Sequence, residues 1–427
     1  MYFASGQLVY SPSDLITFME SEYASAMERL KLNDDEISEL VDEADVVLSS
    51  LQAKGYAHED AFTERLKTLG KDVLETKRAT PEQTYAATIE AMKSGHEVIT
   101  QGYLSLGQFG GFTDYLIKVP GSSNFGDYHY EVWDTKLSKS LKPYFAIQLC
   151  CYIEMLEVVQ GVRPKEMVIV LGDETEARLT VENYFAYYKN LKASFLKFHD
   201  KPIKEMPSPV LSKTHGRWSN LAARQLEEID HLSQVAGIAR SQIKSLENAG
   251  IATMTALAET SLDIIPNINR SVFERAKKQA ALQIISRDKD RPEYSVIKYR
   301  GEEVRGLAAL PPLSQQDVFF DIEGYPYIEG GLEYLWGNSY IDAAGKRQFK
   351  DFWSHDSLQE KQIFEEFIDW IYARWLKDPL MHVYHYANYE IAAIQRLMGR
   401  YGVCEEKVDN LLRNNVFVDL YLSLIHI

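Results

Sequence analysis

Three β-rich stretches in close succession, residues 97–103, 111–118 and 128–134, most constrain how this chain can fold. Their Tyr, Val, Ile, Thr and Trp suit a pleated, half-buried surface. Pro120-Gly121 and the run from Asn124 to Asp127 supply turn chemistry between the last two. Helical periodicity flanks the trio. Ser11-Pro12 opens a helix with a capping-box variant at Asp14, and Leu15, Phe18, Met19, Tyr23, Met27 and Leu30 follow at helical spacing. The acidic stretch from Asn33 to Asp45 reads as a solvated helical face. Gly55 is expected to open a second helix through His58, Phe62, Leu66 and Leu69, and a third runs from Pro81 towards Gly95. An apolar helix spans Pro143 to Val159, and MVIVLG is a further strand. This order implies an α/β domain with one mixed sheet.

The next segment is basic. Lys189, Lys192, Lys197, Lys201, Lys204, Lys213, Arg217 and Arg224 meet only Asp200 and Glu205 in sequence, among Pro202, Pro207 and Pro209. It reads as a helix end plus an exposed linker, with a surface that tracks a nucleic-acid backbone as the alternative. Leu232 to Glu259 form a small helical module, and Gly301 to Pro312 a second linker. Then come a strand (DVFFDIEG), a hairpin turning at Asp342 to Gly345, an amphipathic helix over 358–376, a strand (HVYHYA) and a helix from Tyr389 to Gly399. The chain is therefore an α/β multidomain protein, divided as 1–212, 213–300 and 301–427.

The net charge of −16 excludes nucleic-acid binding by bulk attraction, so such a site must be a local basic channel. Three cysteines, Cys150 and Cys151 adjacent, make no disulfide framework and fit a reducing, cytoplasmic setting. The N-terminus carries no signal-peptide pattern, and no apolar run is long enough for a bilayer, so no membrane partner is expected.

Asp134 and Lys136 are two apart on one strand and share a face, with Thr135 turned away. Asp114 lies on the strand before. If the strands pair, two carboxylates and an ammonium converge at a sheet edge, and Lys136 is expected to be an exposed strand-end side chain. Two carboxylates suit Mg²⁺, and a lysine beside them can stabilise charge on phosphate; a plain cross-strand ion pair is the alternative. In the following helix Gln148 and Tyr152 are four apart and share one face. In the last domain Asp321 and Glu323 share a strand face, with Glu390 and Asp419 as further acids; exposed strand-end carboxylates are the alternative there.

In order, the chain shows a helix with G-Y-A-H-E, a G-F-T-D strand, a D-T-K strand and a Q-L-C-C-Y helix. This set resembles the RecB-like branch of the PD-(D/E)XK nucleases over about residues 1–210. The resemblance implies a restriction-endonuclease-like core, with His58, Asp114 and Asp134 as metal ligands for Mg²⁺ or Mn²⁺ and Lys136 as the catalytic lysine. Gln148 and Tyr152 would hold that lysine and the DNA. Many relatives bind an iron–sulfur cluster through four cysteines, which would fall near Ser21 and between His215 and Arg224. This chain has none there, so no cluster is expected.

V-A-G-I…L-E-N-A-G-I-A-T resembles a helix-hairpin-helix, although Ala239 stands where a second glycine is usual. Asp321-x-Glu323 resembles the first motif of RNase H-like exonucleases of the DEDD type, especially the YprB-like branch. Glu390 stands at the third acid's place and Asp419 is a late candidate. The three-part layout resembles the RecB-like nuclease family. It implies metal-dependent hydrolysis of DNA, with RNA also open, and coupling to a helicase domain in the intact protein. The alternatives are a 3′–5′ exonuclease centred on Asp321 and Glu323, and a non-catalytic nucleic-acid adaptor. The ending, VDLYLSLIHI, precedes closure of such a fold, so the chain is expected to be C-terminally truncated.

Overall fold

The computed structural model describes residues 1–4, 6–43, 46–76, 79–203, 205–212, 214–295, 306–326, 328 and 330–421. Two compact units divide the chain, Met1–Glu293 and Tyr294–Ile427. Lys204, Lys213, part of the second linker and the SLIHI ending lie outside the described residues.

The first unit opens with a hairpin, β1 (Tyr2–Ala4) and β2 (Gln7–Val9), followed by α1 (Pro12–Glu20) and α2 (Glu22–Leu30). The single helix expected here breaks at Ser21, which is extended at φ −157° and ψ 107°. Its hydroxyl accepts from Ala24 N–H at 3.0 Å and so caps α2. The acidic stretch contributes only the short α3 (Asp35–Ser38). Gly55 does not open a helix but lies inside α4 (Val46–Thr68). Packing of Phe62 and Leu66 on the sheet outweighs the glycine's poor helix propensity.

Next come β3 (Val73–Glu75), α5 (Pro81–Ser94), β4 (Val98–Leu106), β5 (Phe109–Ser123), β6 (Gly126–Thr135), α6 (Pro143–Gln160), β7 (Glu166–Val170), β8 (Glu176–Thr180) and α7 (Glu182–His199). The sheet order is β3-β4-β5-β6-β7-β8. β4, β5 and β6 form the antiparallel meander, while β3 and β7 join it in parallel. Strand alternation sorts the two faces. Ile99, Leu116, Val132 and Ile169 pack with Leu149, Ile153 and Leu156 of α6. Val98, Tyr115, Trp133 and Val168 pack against Phe62 of α4.

The basic segment begins as the end of α7, continues through an irregular and mostly exposed stretch over the described residues of 200–208, and is packed at both ends. Lys189 and Lys192 each reach the Glu154 carboxylate at 2.5 Å. Those cations, helped by the Tyr188 hydroxyl, outweigh burial and bring Glu154 down to about 2. Trp218 and α8 (Ser219–Glu228) pack on α2 through Leu221, Ala222, Tyr23 and Met27. Arg217 grips Glu28, and Tyr23 N–H donates to Ser212 Oγ at 3.1 Å. Apolar packing and an ion pair thus join the two segments where the resemblance would put thiolates. Cys150 and Cys151 are buried in α6, and Cys404 belongs to the second unit. α9 (Arg240–Asn248), α10 (Met254–Glu259) and α11 (Arg270–Ser286) close a small core of Leu232, Leu246, Leu257 and Phe273.

The second unit contains β9 (Val318–Tyr325), β10 (Leu332–Ile341), β11 (Arg347–Trp353), α12 (Ser357–Lys377), β12 (Val383–His385), α13 (Tyr389–Tyr401), α14 (Glu405–Arg413) and β13 (Phe417–Asp419). Its sheet order is β11-β10-β9-β12-β13. The hairpin strands are antiparallel, and β12 runs parallel to β9 and β13. Along β9, Val318, Phe320 and Ile322 are buried against Phe364 and Phe367 of α12, while Phe319, Asp321 and Glu323 face outward. No described helix is long and apolar enough to cross a membrane.

Candidate active sites

The β5–β6 ladder ends at Tyr115↔Trp133. One step beyond, Asp114 and Asp134 face each other across the parted strands, close enough for the Asp114 charge to raise the Asp134 carboxyl. Lys136 Nζ forms an ion pair with Asp134 Oδ2. Lys136 N–H donates to Val170 O at 2.9 Å, which holds this residue against β7 just past the end of β6. Thr135 is not turned away as expected. Its N–H (3.0 Å) and Oγ1 (3.3 Å) both donate to Asp114 Oδ2. The end of the ladder leaves that N–H without a β5 carbonyl, and the carboxylate takes its place.

Asp134 is only 3% exposed. Burial, then the Asp114 charge, push its carboxyl well above the usual range. Burial pulls the Lys136 ammonium down, but Asp134 and Asp114 more than offset this and hold it protonated. Lys136 is thus a largely buried counter-ion, not the exposed strand-end lysine expected. Apart from Lys136, Asp134 Oδ2 has no partner. Two carboxylates against one ammonium leave the group short of positive charge, which fits a divalent cation.

Tyr152 is buried, and its hydroxyl donates to Phe112 O at 2.6 Å and bonds with Gln148. A Cβ on Gly111 would press on that hydroxyl at 3.1 Å, so the glycine admits Tyr152. Burial raises the phenol well above its usual range. The pair therefore fastens α6 beside Asp114, and the Tyr152 hydroxyl is already taken by the protein.

His58 rides on α4. Tyr115 Oη donates to Glu59 O at 2.7 Å, and the Gln101 amide donates to the Glu59 carboxylate. The His58 Nε2 is buried without a hydrogen-bond partner. Among the described residues, no group of three His, Cys, Asp or Glu side chains is gathered for a metal ion. The expected set of His58, Asp114 and Asp134 is therefore not assembled. The cause is alternation: α4 packs on Tyr115 and Trp133, whose side chains leave the face opposite to their neighbours Asp114 and Asp134. Sequence reading missed Gln101, which sits between the pairs Thr100↔Tyr115 and Gly102↔Thr113, opposite Asp114, at φ 51°. Left-handed backbone at a non-glycine residue is strained. Its only sequence signal is the glycine that follows.

The second constellation lies at the outward face of β9. Glu390, in the first turn of α13, is 3% exposed and lies close enough to Asp321 for its charge to act on that carboxyl. Burial, then Glu390 and Glu323, raise the Asp321 carboxyl. His385 Nδ1 lies 3.5 Å from Glu390 Oε2, and neither atom has a hydrogen-bond partner. Asp321, Glu323, Phe319, Tyr384 and His385 line a cavity of about 490 Å³. Asp419 does not join them: its Oδ1 accepts from Ala387 and Tyr421 N–H, both at 2.8 Å. Gly324 lets α13 approach, because a Cβ there would collide with Tyr389 Oη and the Glu333 carboxylate. Tyr389 Oη donates to Glu333 Oε2 at 2.8 Å, and Arg396 pairs with the same carboxylate. Glu333 had no local signal, since Tyr389 and Arg396 come from a distant segment, whereas His385 lies only five residues before Glu390.

Residues 318–426 match the family model of the RNase H superfamily. The second unit therefore contains an RNase H-like domain, a class that points to nuclease-type hydrolysis of nucleic acid with divalent metal. No curated protein matches the chain.

Proposed function

We propose that this chain is a metal-dependent nuclease whose leading centre is Asp114, Asp134 and Lys136 in a RecB-like PD-(D/E)XK domain. The convergence of these three side chains from two strands, with Lys136 protonated against a buried carboxylate, carries the reading. Asp114 and Asp134 would hold Mg²⁺ or Mn²⁺ without His58, which rides on the helix behind the other face of the sheet. A bound divalent cation supplies Lewis acidity at the phosphoryl oxygen and acidifies a water. Lys136 offers positive charge and N–H donors where negative charge grows on phosphate. Thr135 orients Asp114, and Gln148 and Tyr152 hold α6 against the site. DNA is the leading substrate, with RNA as the alternative; a helix-hairpin-helix would bind backbone, and a helicase domain is the expected companion.

A second reading places the chemistry at Asp321, Glu323 and Glu390, as in DEDD exonucleases, and the RNase H superfamily match favours it. Labelled single- and double-stranded DNA and RNA, incubated with the chain and Mg²⁺, Mn²⁺ or chelator, test both. Cleavage lost in Asp134→Asn and kept in Asp321→Asn supports the leading reading. The opposite pattern moves the activity to the RNase H-like domain, and no cleavage under any condition rejects both.

A further inference from the structure

Many cations of the first unit are committed to carboxylates: Lys189 and Lys192 to Glu154, Arg217 to Glu28, Lys67 to Glu64 and Glu75. Lys244 makes no ion pair among the described residues. It lies four residues after Arg240 on α9, and both line a cavity of about 530 Å³ with His231, Ser233, Ser212 and Glu247. The turn Gly237-Ile238-Ala239 of the helical hairpin does not line it.

His231 is the informative residue. It is 6% exposed, and its Nδ1 accepts the Ser233 N–H at 3.1 Å. With Nδ1 an acceptor, the neutral ring carries its proton on Nε2. That N–H is buried and donates to nothing. The Glu247 carboxylate stands 3.7 Å away, beyond hydrogen-bond reach. Ser233 O–H is spent on His231 Nδ1 at 2.9 Å, but the unpaired Nε2–H, the Lys244 ammonium and the Ser212 hydroxyl together suit an oxyanion with several acceptor atoms. Glu247 disfavours high negative charge there, so a singly charged phosphodiester fits better than a phosphate dianion.

We propose that this cavity seats one phosphodiester group of a nucleic-acid strand. The proposal rests on the reading of the chain as a nucleic-acid enzyme, but on neither catalytic centre. The test uses the full chain carrying Asp134→Asn and Asp321→Asn, so that a labelled single-stranded DNA survives, with binding followed by fluorescence anisotropy across salt. Lys244→Ala should weaken binding about tenfold and lower the slope of log affinity against log salt by about one. His231→Asn keeps an acceptor for Ser233 N–H and removes the Nε2 donor; it should weaken binding about fivefold with the slope unchanged. Lys244→Arg should bind like the parent. Parental binding by both Lys244→Ala and His231→Asn, with unchanged circular dichroism, overturns the proposal and leaves a water-filled cavity. Inorganic phosphate is titrated calorimetrically in parallel. If its binding depends on these residues while strand affinity does not, the ligand is a free phosphate and the diester assignment falls. Failure of the nuclease reading shows elsewhere, as absent cleavage by the chain with its acids intact while Lys244-dependent strand binding persists.

Discussion

Asp134 and Asp321 are both strand aspartates that face a second carboxylate, yet their surroundings differ. Asp134 is buried and carries its own counter-ion, Lys136. Asp321 opens onto a cavity, its partner Glu390 is buried, and the nearest basic group recorded there is the His385 imidazole beside Glu390. An ammonium built into the first centre can hold its carboxylates together before any ligand arrives. Among the described residues the second centre shows no such ammonium, so its acids repel until a cation comes. Burial with a partner makes one site preorganised, and exposure without one makes the other ligand-dependent.

The largest effect should come from breaking the first centre. Lys136→Ala should lower cleavage by about 10²–10³, as for loss of an electrostatic stabiliser. It should also destabilise the fold, by about 3–5 kcal/mol for a broken buried pair. Mg²⁺ should return part of the melting temperature but not the rate. Parental cleavage and melting would remove the contrast between the centres. Asp134→Asn separates the two effects. A carboxyl whose folded pKa is raised loses stability as pH climbs from its unfolded value through its folded one. At neutral pH the substitution should therefore abolish cleavage without lowering the melting temperature, because Asp114 remains to balance Lys136.

A smaller effect distinguishes the units by acid. His199 is buried, with Nε2 2.9 Å from Ser25 Oγ, and burial followed by Arg29 brings it down to about 4. A depressed histidine stabilises the fold fully above its unfolded value, near 6.5, and loses that contribution as pH falls towards 4. The loss at pH 5 is about 2 kcal/mol. Urea denaturation at pH 7 and pH 5, read by probes in each unit, should show the first unit weakening by that amount; a His199→Leu variant should lack this pH dependence. Tyr152→Phe removes the bond to Phe112 O and should cost about 1 kcal/mol in melting while Asp114 stays in place. The smallest effect is Asp321→Asn, for which the cleavage rate should not change. A loss there with Lys136→Ala silent would transfer the chemistry to the second centre.

Local periodicity and turn chemistry determined much of the architecture. The β4–β6 meander, α5, α6 and the β10–β11 hairpin were legible because neighbours at i+2 or i+4 lie on one surface whatever the rest of the chain does. For the same reason Asp134 and Lys136, and Asp321 and Glu323, were legible as pairs on their own strands. The three-residue β3 was too short to display such a pattern, whereas the alternation of β8, EARLT, was there to be read. Tertiary structure decided where each pair sits and what else reaches it. It set Asp114 opposite Asp134, buried Lys136, kept His58 on the helix behind the other face, and drew Glu390 but not Asp419 to Asp321. It also tied down both ends of the basic segment, because Trp218 and Leu221 found α2 while Lys189 and Lys192 found Glu154. A residue's own segment specifies the direction of its side chain. Its partners, burial and charge state come from register and packing between segments far apart in sequence, and no local pattern encodes these.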